Sequence, residues 1–134
     1  MTGSEHMLGH ISFGVSDLAR SAQFYDRAME ALGYARVYTG ERAIGYGLPG
    51  SDQDQLLIAV RPGPVRPPSD GFHLAFAAPS RAAVDRFHAA ALEAGGVDNG
   101  APGLRPQYGP DYYAAFVIDP DGYRLEAKAA PTTP

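Results

Sequence analysis

Gly9-His10-Ile11-Ser12-Phe13 is answered 63 residues later by Phe72-His73-Leu74-Ala75-Phe76. Sliding the sequence against itself by that offset aligns positions 10–33 with 73–96 without a gap. Eight of these 24 positions are identical: His10, Phe13, Ala19, Phe24, Ala28, Glu30, Ala31 and Gly33. A gapless match of this kind marks a duplicated supersecondary unit. The 134 residues suffice for one sizeable core but not for two independent ones. The copies are therefore read as halves of a single domain over 1–134, with a first module over about 7–61, a connector over 62–70 that is rich in proline, and a second module over about 71–129.

Outward from His10, residues 8–15 alternate. Ile11, Phe13 and Val15 fall on one face and Leu8, His10, Ser12 and Gly14 on the other, which is the period of a half-buried strand. Ser16 or Asp17 can cap a following helix through Leu32, in which Leu18, Ala22, Tyr25, Met29 and Leu32 recur at helical spacing and Gly33 supplies the stop. Short strands are predicted over 35–38, 42–48 and 55–60. The second module repeats the order, with a strand over 72–78, a helix over 80–94, a strand near 97–101, and strands over 112–118 and 123–128. The last two are joined by the turn Asp119-Pro120-Asp121-Gly122. Residues 129–134 are expected to fray. The fold class is α+β: two tandem βαβββ modules forming a cup-shaped mixed sheet, with the helices on its outer side.

Composition narrows the function. A net charge of −4 with no run of Lys or Arg gives no electrostatic footprint for nucleic acid or an anionic membrane surface. No apolar run approaches the roughly 20 residues of a membrane helix, and the first ten residues carry no signal core, so a soluble, cytoplasmic protein acting on a small molecule is expected. With no cysteine, any metal must be held by nitrogen and oxygen.

His10 and His73 stand opposite the bulky face of their strands, and Glu126 lies opposite Leu125 and Ala127 in the final strand. All three can converge on the inner surface of the cup. Two imidazoles and a carboxylate form the ligand set of catalytic zinc and non-haem iron sites, which leave open positions for water and substrate. A divalent metal is expected, and nitrogen and carboxylate donors accept Zn, Fe, Mn, Ni or Co. The competing reading is that each His is a hydrogen-bonded packing residue and Glu126 a solvated one; the repeat of the histidine weighs against it. His6 and His88 do not look like ligands. Arg105, in the loop 104–113, could hold a substrate carboxylate or phosphate, while Tyr46, Tyr108 and Tyr113 could wall the substrate pocket.

The segments Gly9-His10-Ile11-Ser12-Phe13 with Ser16-Asp17-Leu18 and Phe24-Tyr25, Gly71-Phe72-His73-Leu74-Ala75-Phe76, and the run from Phe116 to Glu126 together resemble the glyoxalase/bleomycin-resistance/extradiol-dioxygenase family, the vicinal oxygen chelate superfamily. The resemblance spans nearly the whole chain. It implies paired βαβββ modules around a divalent metal, commonly in a homodimer whose sites are shared between subunits, with His10 from one chain and His73 and Glu126 from the other. It assigns His10, His73 and Glu126 as metal ligands, with Glu126 also catalytic. Aligning Leu57-Ile58-Ala59 with Leu125-Glu126-Ala127 puts Ile58 where lactoylglutathione lyases carry a fourth, carboxylate ligand. Phe116 and, approximately, Gln107 stand where extradiol dioxygenases carry a Tyr and a His. Residues 129–134 hold none of the basic residues that fosfomycin thiol transferases place beyond the last strand.

Two functions follow from the resemblance. The first is a metal-dependent enzyme of isomerase, lyase, thiol transferase or dioxygenase type, acting on a small oxygenated substrate. The second is a metal-free protein of the bleomycin-resistance type that sequesters a planar drug or antibiotic on Tyr46, Tyr108, Tyr112 and Tyr113.

Overall fold

The computed structural model describes residues 7–131. His6, not expected to be a ligand, lies outside the described residues, as do 132–134 of the tail expected to fray. The chain runs β1 (Ile11–Val15), α1 (Leu18–Ala31), β2 (Ala35–Thr39), β3 (Ala43–Gly47), β4 (Leu56–Val60), then β5 (Leu74–Ala78), α2 (Arg81–Glu93), β6 (Val97–Leu104), β7 (Tyr113–Ile118) and β8 (Arg124–Ala129). This is βαβββ twice. The strands form two four-stranded mixed sheets of matching order, β1-β4-β3-β2 and β5-β8-β7-β6, with β1 parallel to β4 and β5 parallel to β8.

Local chemistry sets the helix boundaries. The Asp17 carboxylate accepts from Arg20 N–H and the Ser80 hydroxyl from Ala83 N–H, so each helix begins on a side-chain cap. Gly33, at φ +90°, ends the first helix in a conformation that a Cβ would strain. Strand β6 runs to Leu104, beyond the 97–101 expected of it, because the irregularities at Gly100 and Gly103 let a segment rich in glycine and proline stay paired with β7. Ala129, placed in the frayed tail by sequence, is buried in β8 opposite Ala78.

Each helix covers one face of its own sheet, and α1 and α2 also pack on each other. The core is built from those helix-facing rows: Val15, Phe24, Tyr25, Ile58, Phe87, Val117 and Leu125 are fully buried. The modules are further joined by the β7–β8 turn. Tyr25 O–H donates to the Asp119 carboxylate, the Asp121 carboxylate accepts from Ser16 and Arg20, and Tyr123 O–H donates to the Gly14 carbonyl at 2.7 Å. Burial raises the Asp119 pKa above the ordinary carboxylate value, against the lowering effect of its hydrogen bonds. No helix among the described residues is long and apolar enough to cross a membrane.

Candidate functional site

The faces of the sheets opposite the helices carry the chemistry. In the second sheet the register pairs Ala75 with Glu126 and Glu126 with Phe116, while Ala77 and Ala114 both pair with Lys128. Side chains alternate along a strand, so Glu126, Phe116, Ala114 and Lys128 share this open face with the preceding His73. Leu125 and Ala127, on the other side, are fully buried under α2.

At its centre His73 Nε2 lies 2.8 Å from Glu126 Oε1, and Tyr112 O–H donates to Glu126 Oε2 at 2.6 Å. Glu126 is only 2% exposed, whereas the His73 side chain is about half exposed at 48%. The carboxylate is thus held from below while the imidazole stands at the rim. A buried carboxylate demands positive charge or several donors. Among the described residues its only ion-pair partner is His73; Arg124 and Lys128, two positions away on the same face, do not pair with it. Lys128 instead sits over the Tyr112 ring, 5.0 Å from its centroid. Burial first, then Glu126, pushes the Tyr112 phenol up to about 12, so it remains a donor across the physiological range.

A cleft of about 390 Å³ opens between the edge strands β1 and β5, with His10, Ile11 and Tyr46 on one wall and His73, Leu74 and Phe76 on the other. Among the described residues, His10 is exposed, no side-chain hydrogen bond or ion pair engages it, and no three metal-ligating side chains lie within metal-binding reach of each other. One chain therefore joins His73 to Glu126 and leaves His10 apart. The donor types and the 2.8 Å spacing do fit a cation: two metal bonds of about 2.1 Å leave cis nitrogen and oxygen ligands roughly 3 Å apart.

Several assignments change. Ile58 is not the counterpart of Glu126. Ser12 pairs with Leu57 as its repeat-equivalent Ala75 pairs with Glu126, so Leu57 occupies the open face and Ile58 points into the core at 0% exposure. A one-residue slip in register exchanges the faces of a strand. The fourth position is still apolar, but its residue is Leu57. Tyr46 is 1% exposed and turned toward α1, its hydroxyl 2.7 Å from Asp26 Oδ1, and only its margin reaches the cleft. Burial, then Asp26, raises its pKa far above that of an ordinary phenol. Tyr113 also faces its helix, donating to Asp85 at 2.6 Å beneath Arg81. Tyr113 therefore presents no surface to the open face, while Tyr46 keeps an edge on the wall of the cleft. Tyr108 is exposed and packs on Tyr112 at 5.2 Å, while Arg105 lies over Phe116 on the open face. His88, on α2, pairs with Asp98 at 2.9 Å. Tyr112, expected from sequence only as a stacking ring of the sequestering reading, bonds Glu126, a role that sequence reading missed; period-two counting back from Glu126's partner Phe116 would have found it.

Comparison with known proteins agrees with this architecture. Residues 7–127 match the model of the Glyoxalase/Bleomycin resistance protein/Dioxygenase superfamily. A crystal structure of a glyoxalase/bleomycin resistance protein from Albidiferax ferrireducens T118 is similar, with TM-score 0.81 and 31% identity over 94% of this chain and 100% of that one. A glyoxalase-related enzyme from Fulvimarina pelagi matches with TM-score 0.71 and 25% identity over 96% of this chain and 91% of the other. A glyoxalase I mutant from Zea mays shares the fold, with TM-score 0.66 and 23% identity; this chain, matched over 90% of its length, spans 44% of that one. No curated protein matches the chain. The duplicated βαβββ units, the family match over nearly their whole length and the likeness to the Albidiferax protein have one reading: the chain belongs to the glyoxalase/bleomycin resistance protein/dioxygenase superfamily.

Proposed function

We propose that the protein is a divalent-metal-dependent, glyoxalase-like enzyme of the cytoplasm acting on a small oxygenated substrate, with His73 and Glu126 of one chain and His10 of a second copy as the metal ligands. The observation that carries the reading is the buried Glu126 carboxylate aimed at His73 Nε2, with its other oxygen fixed by Tyr112. A metal bound there supplies Lewis acidity toward a substrate carbonyl, enolate or hydroxyl oxygen. The protein's own groups do the rest. Tyr112 holds Oε2, so Oε1, which faces His73, is the oxygen of Glu126 that would hold the cation or, when released from it, take or return a proton. Apolar Phe116, paired with Glu126, lies on that face and limits water. Isomerase or lyase chemistry, which needs one such proton carrier, fits better than dioxygenation, because Phe116 cannot handle a proton.

The homodimer enters because His10 is exposed and apart from the other two ligands within one chain. The test is metal binding by protein purified without a nickel column, stripped with chelator and reloaded with Mn(II), followed by electron paramagnetic resonance. Near-stoichiometric binding that weakens at least about 100-fold in His73→Ala and in Glu126→Gln is expected. Wild-type protein that takes up no Mn(II), Zn(II), Ni(II), Co(II) or Fe(II) would sink the reading and favour a metal-free binding protein.

A further inference from the structure

The open face of the second sheet is more basic than the chain as a whole. Arg124 and Lys128 share this face with the carboxylate of Glu126, Arg105 lies over its neighbour Phe116, and among the described residues none of the three has a carboxylate within ion-pair distance. This holds although the chain carries net charge −4. Of the three, Arg105 is the one with a side-chain hydrogen bond among the described residues. Its Nη2 donates to the Ala101 carbonyl at 2.7 Å, and its guanidinium carbon lies 5.3 Å from the centroid of the Phe116 ring. The strand beneath it leaves close room for it: a Cβ on Gly100, whose φ of +149° already favours glycine, would come within 3.2 Å of Arg105 Nη2, and one on Gly103 within 3.3 Å of Nη1, so the guanidinium would have to shift by a few tenths of an ångström. Two glycines, an aromatic face and a carbonyl thus seat a guanidinium that has donors to spare.

We propose that Arg105 is the recognition residue for a second, anionic group of the substrate, a carboxylate or phosphonate distant from the oxygens that react. This rests on the metal-centre reading above and specifies its substrate class. Phe116 separates Arg105 from Glu126 on neighbouring strands, so the anion sits one to two strand spacings, roughly 5–10 Å, from the reacting carbon. A short-chain oxo or hydroxy acid with an anionic tail has that reach. Its tail accepts paired hydrogen bonds from the free edge of the guanidinium, with Phe116 keeping that edge in a partly desolvated setting.

The experiment uses three probes with one head and different tails, 2-oxopentanoate, 2-oxoglutarate and 2-oxo-4-phosphonobutanoate, titrated by calorimetry into Mn(II)-loaded wild type, Arg105→Gln and Gly103→Ala. Wild type should bind the two charged tails at least about tenfold more tightly than the neutral one. The distinction between carboxylate and phosphonate names the preferred tail. Arg105→Gln should bring all three to the affinity of 2-oxopentanoate, and Gly103→Ala, which displaces the guanidinium without removing it, should lose part of the preference. Equal wild-type affinities, or a preference that survives Arg105→Gln, would overturn the assignment. Mn(II) binding is read separately in every variant. Retained metal with no tail preference defeats the subsite alone, whereas absent metal defeats the centre; tail selectivity that depends on Arg105 without metal would still uphold the subsite.

Discussion

Leu57 stands in the first sheet where Glu126 stands in the second: each lies beside the second residue after a repeated histidine, Leu57 beside Ser12 and Glu126 beside Ala75. The duplication kept its histidine on both sides and its carboxylate on one. Only the second module therefore offers the paired His and Glu, and the first offers His10 beside an apolar wall.

That register makes a prediction about two adjacent residues. Ile58→Ala should cost about 2–4 kcal/mol, because it opens a cavity in a fully buried position, whereas Leu57→Ala should cost under about 1 kcal/mol. Leu57→Glu should fold and Ile58→Glu should not. Urea denaturation and circular dichroism decide it, and equal sensitivity at the two positions would refute the register.

Tyr112 provides a spectroscopic check on the centre. Its phenol should ionise near pH 12 by absorbance near 295 nm, and Glu126→Gln should bring that value partway down, since burial contributes the larger share of the shift. The folded-state value lies above the ordinary phenol value near 10. The corresponding stability is then fully present below about pH 10 and is lost as pH rises from there to about 12. A Tyr112→Phe protein should lack that phase; an unchanged titration in Glu126→Gln would break the link between the two residues.

The turn that joins the modules should be sensitive to small changes. Asp119→Ala removes the acceptor of the buried Tyr25 hydroxyl and of the Asp121 and Tyr123 amides, and should destabilise by about 2–4 kcal/mol, while Tyr25→Phe should cost about 1 kcal/mol. Burial raises the Asp119 pKa above its unfolded value, so its contribution favours the fold below the ordinary carboxylate pKa and fades as pH rises through the folded value. Comparing unfolding free energies of wild type and Asp119→Asn from pH 3 to 7 tests the sign.

Much of this could be read from sequence because its signals are periodic. The 63-residue repeat, the alternation around His10 and His73 and the caps at Asp17 and Ser80 each state a local rule that tertiary packing obeys. What escaped was facing. Leu56-Leu57-Ile58-Ala59-Val60 is apolar throughout, so nothing in its composition separates the open face from the core one. Tyr112 and Tyr113 are chemically identical neighbours pointing to opposite sides, and only the pairing of β7 with β8 distinguishes them. Tyr46 was legible after all: Ile44 and Tyr46 alternate with Gly45 and Gly47, and the bulky pair belongs to the core.

In the proposed dimer a working centre takes His73 and Glu126 from one chain and His10 from another. The most direct test mixes a His10→Ala chain with a Glu126→Gln chain under conditions that exchange subunits. Each variant alone should bind no tight Mn(II), while heterodimers should regain one intact site, giving about one ion per four chains in the statistical mixture. If the mixture binds no more Mn(II) than the separate variants, the three ligands are not shared between chains and the account is contradicted.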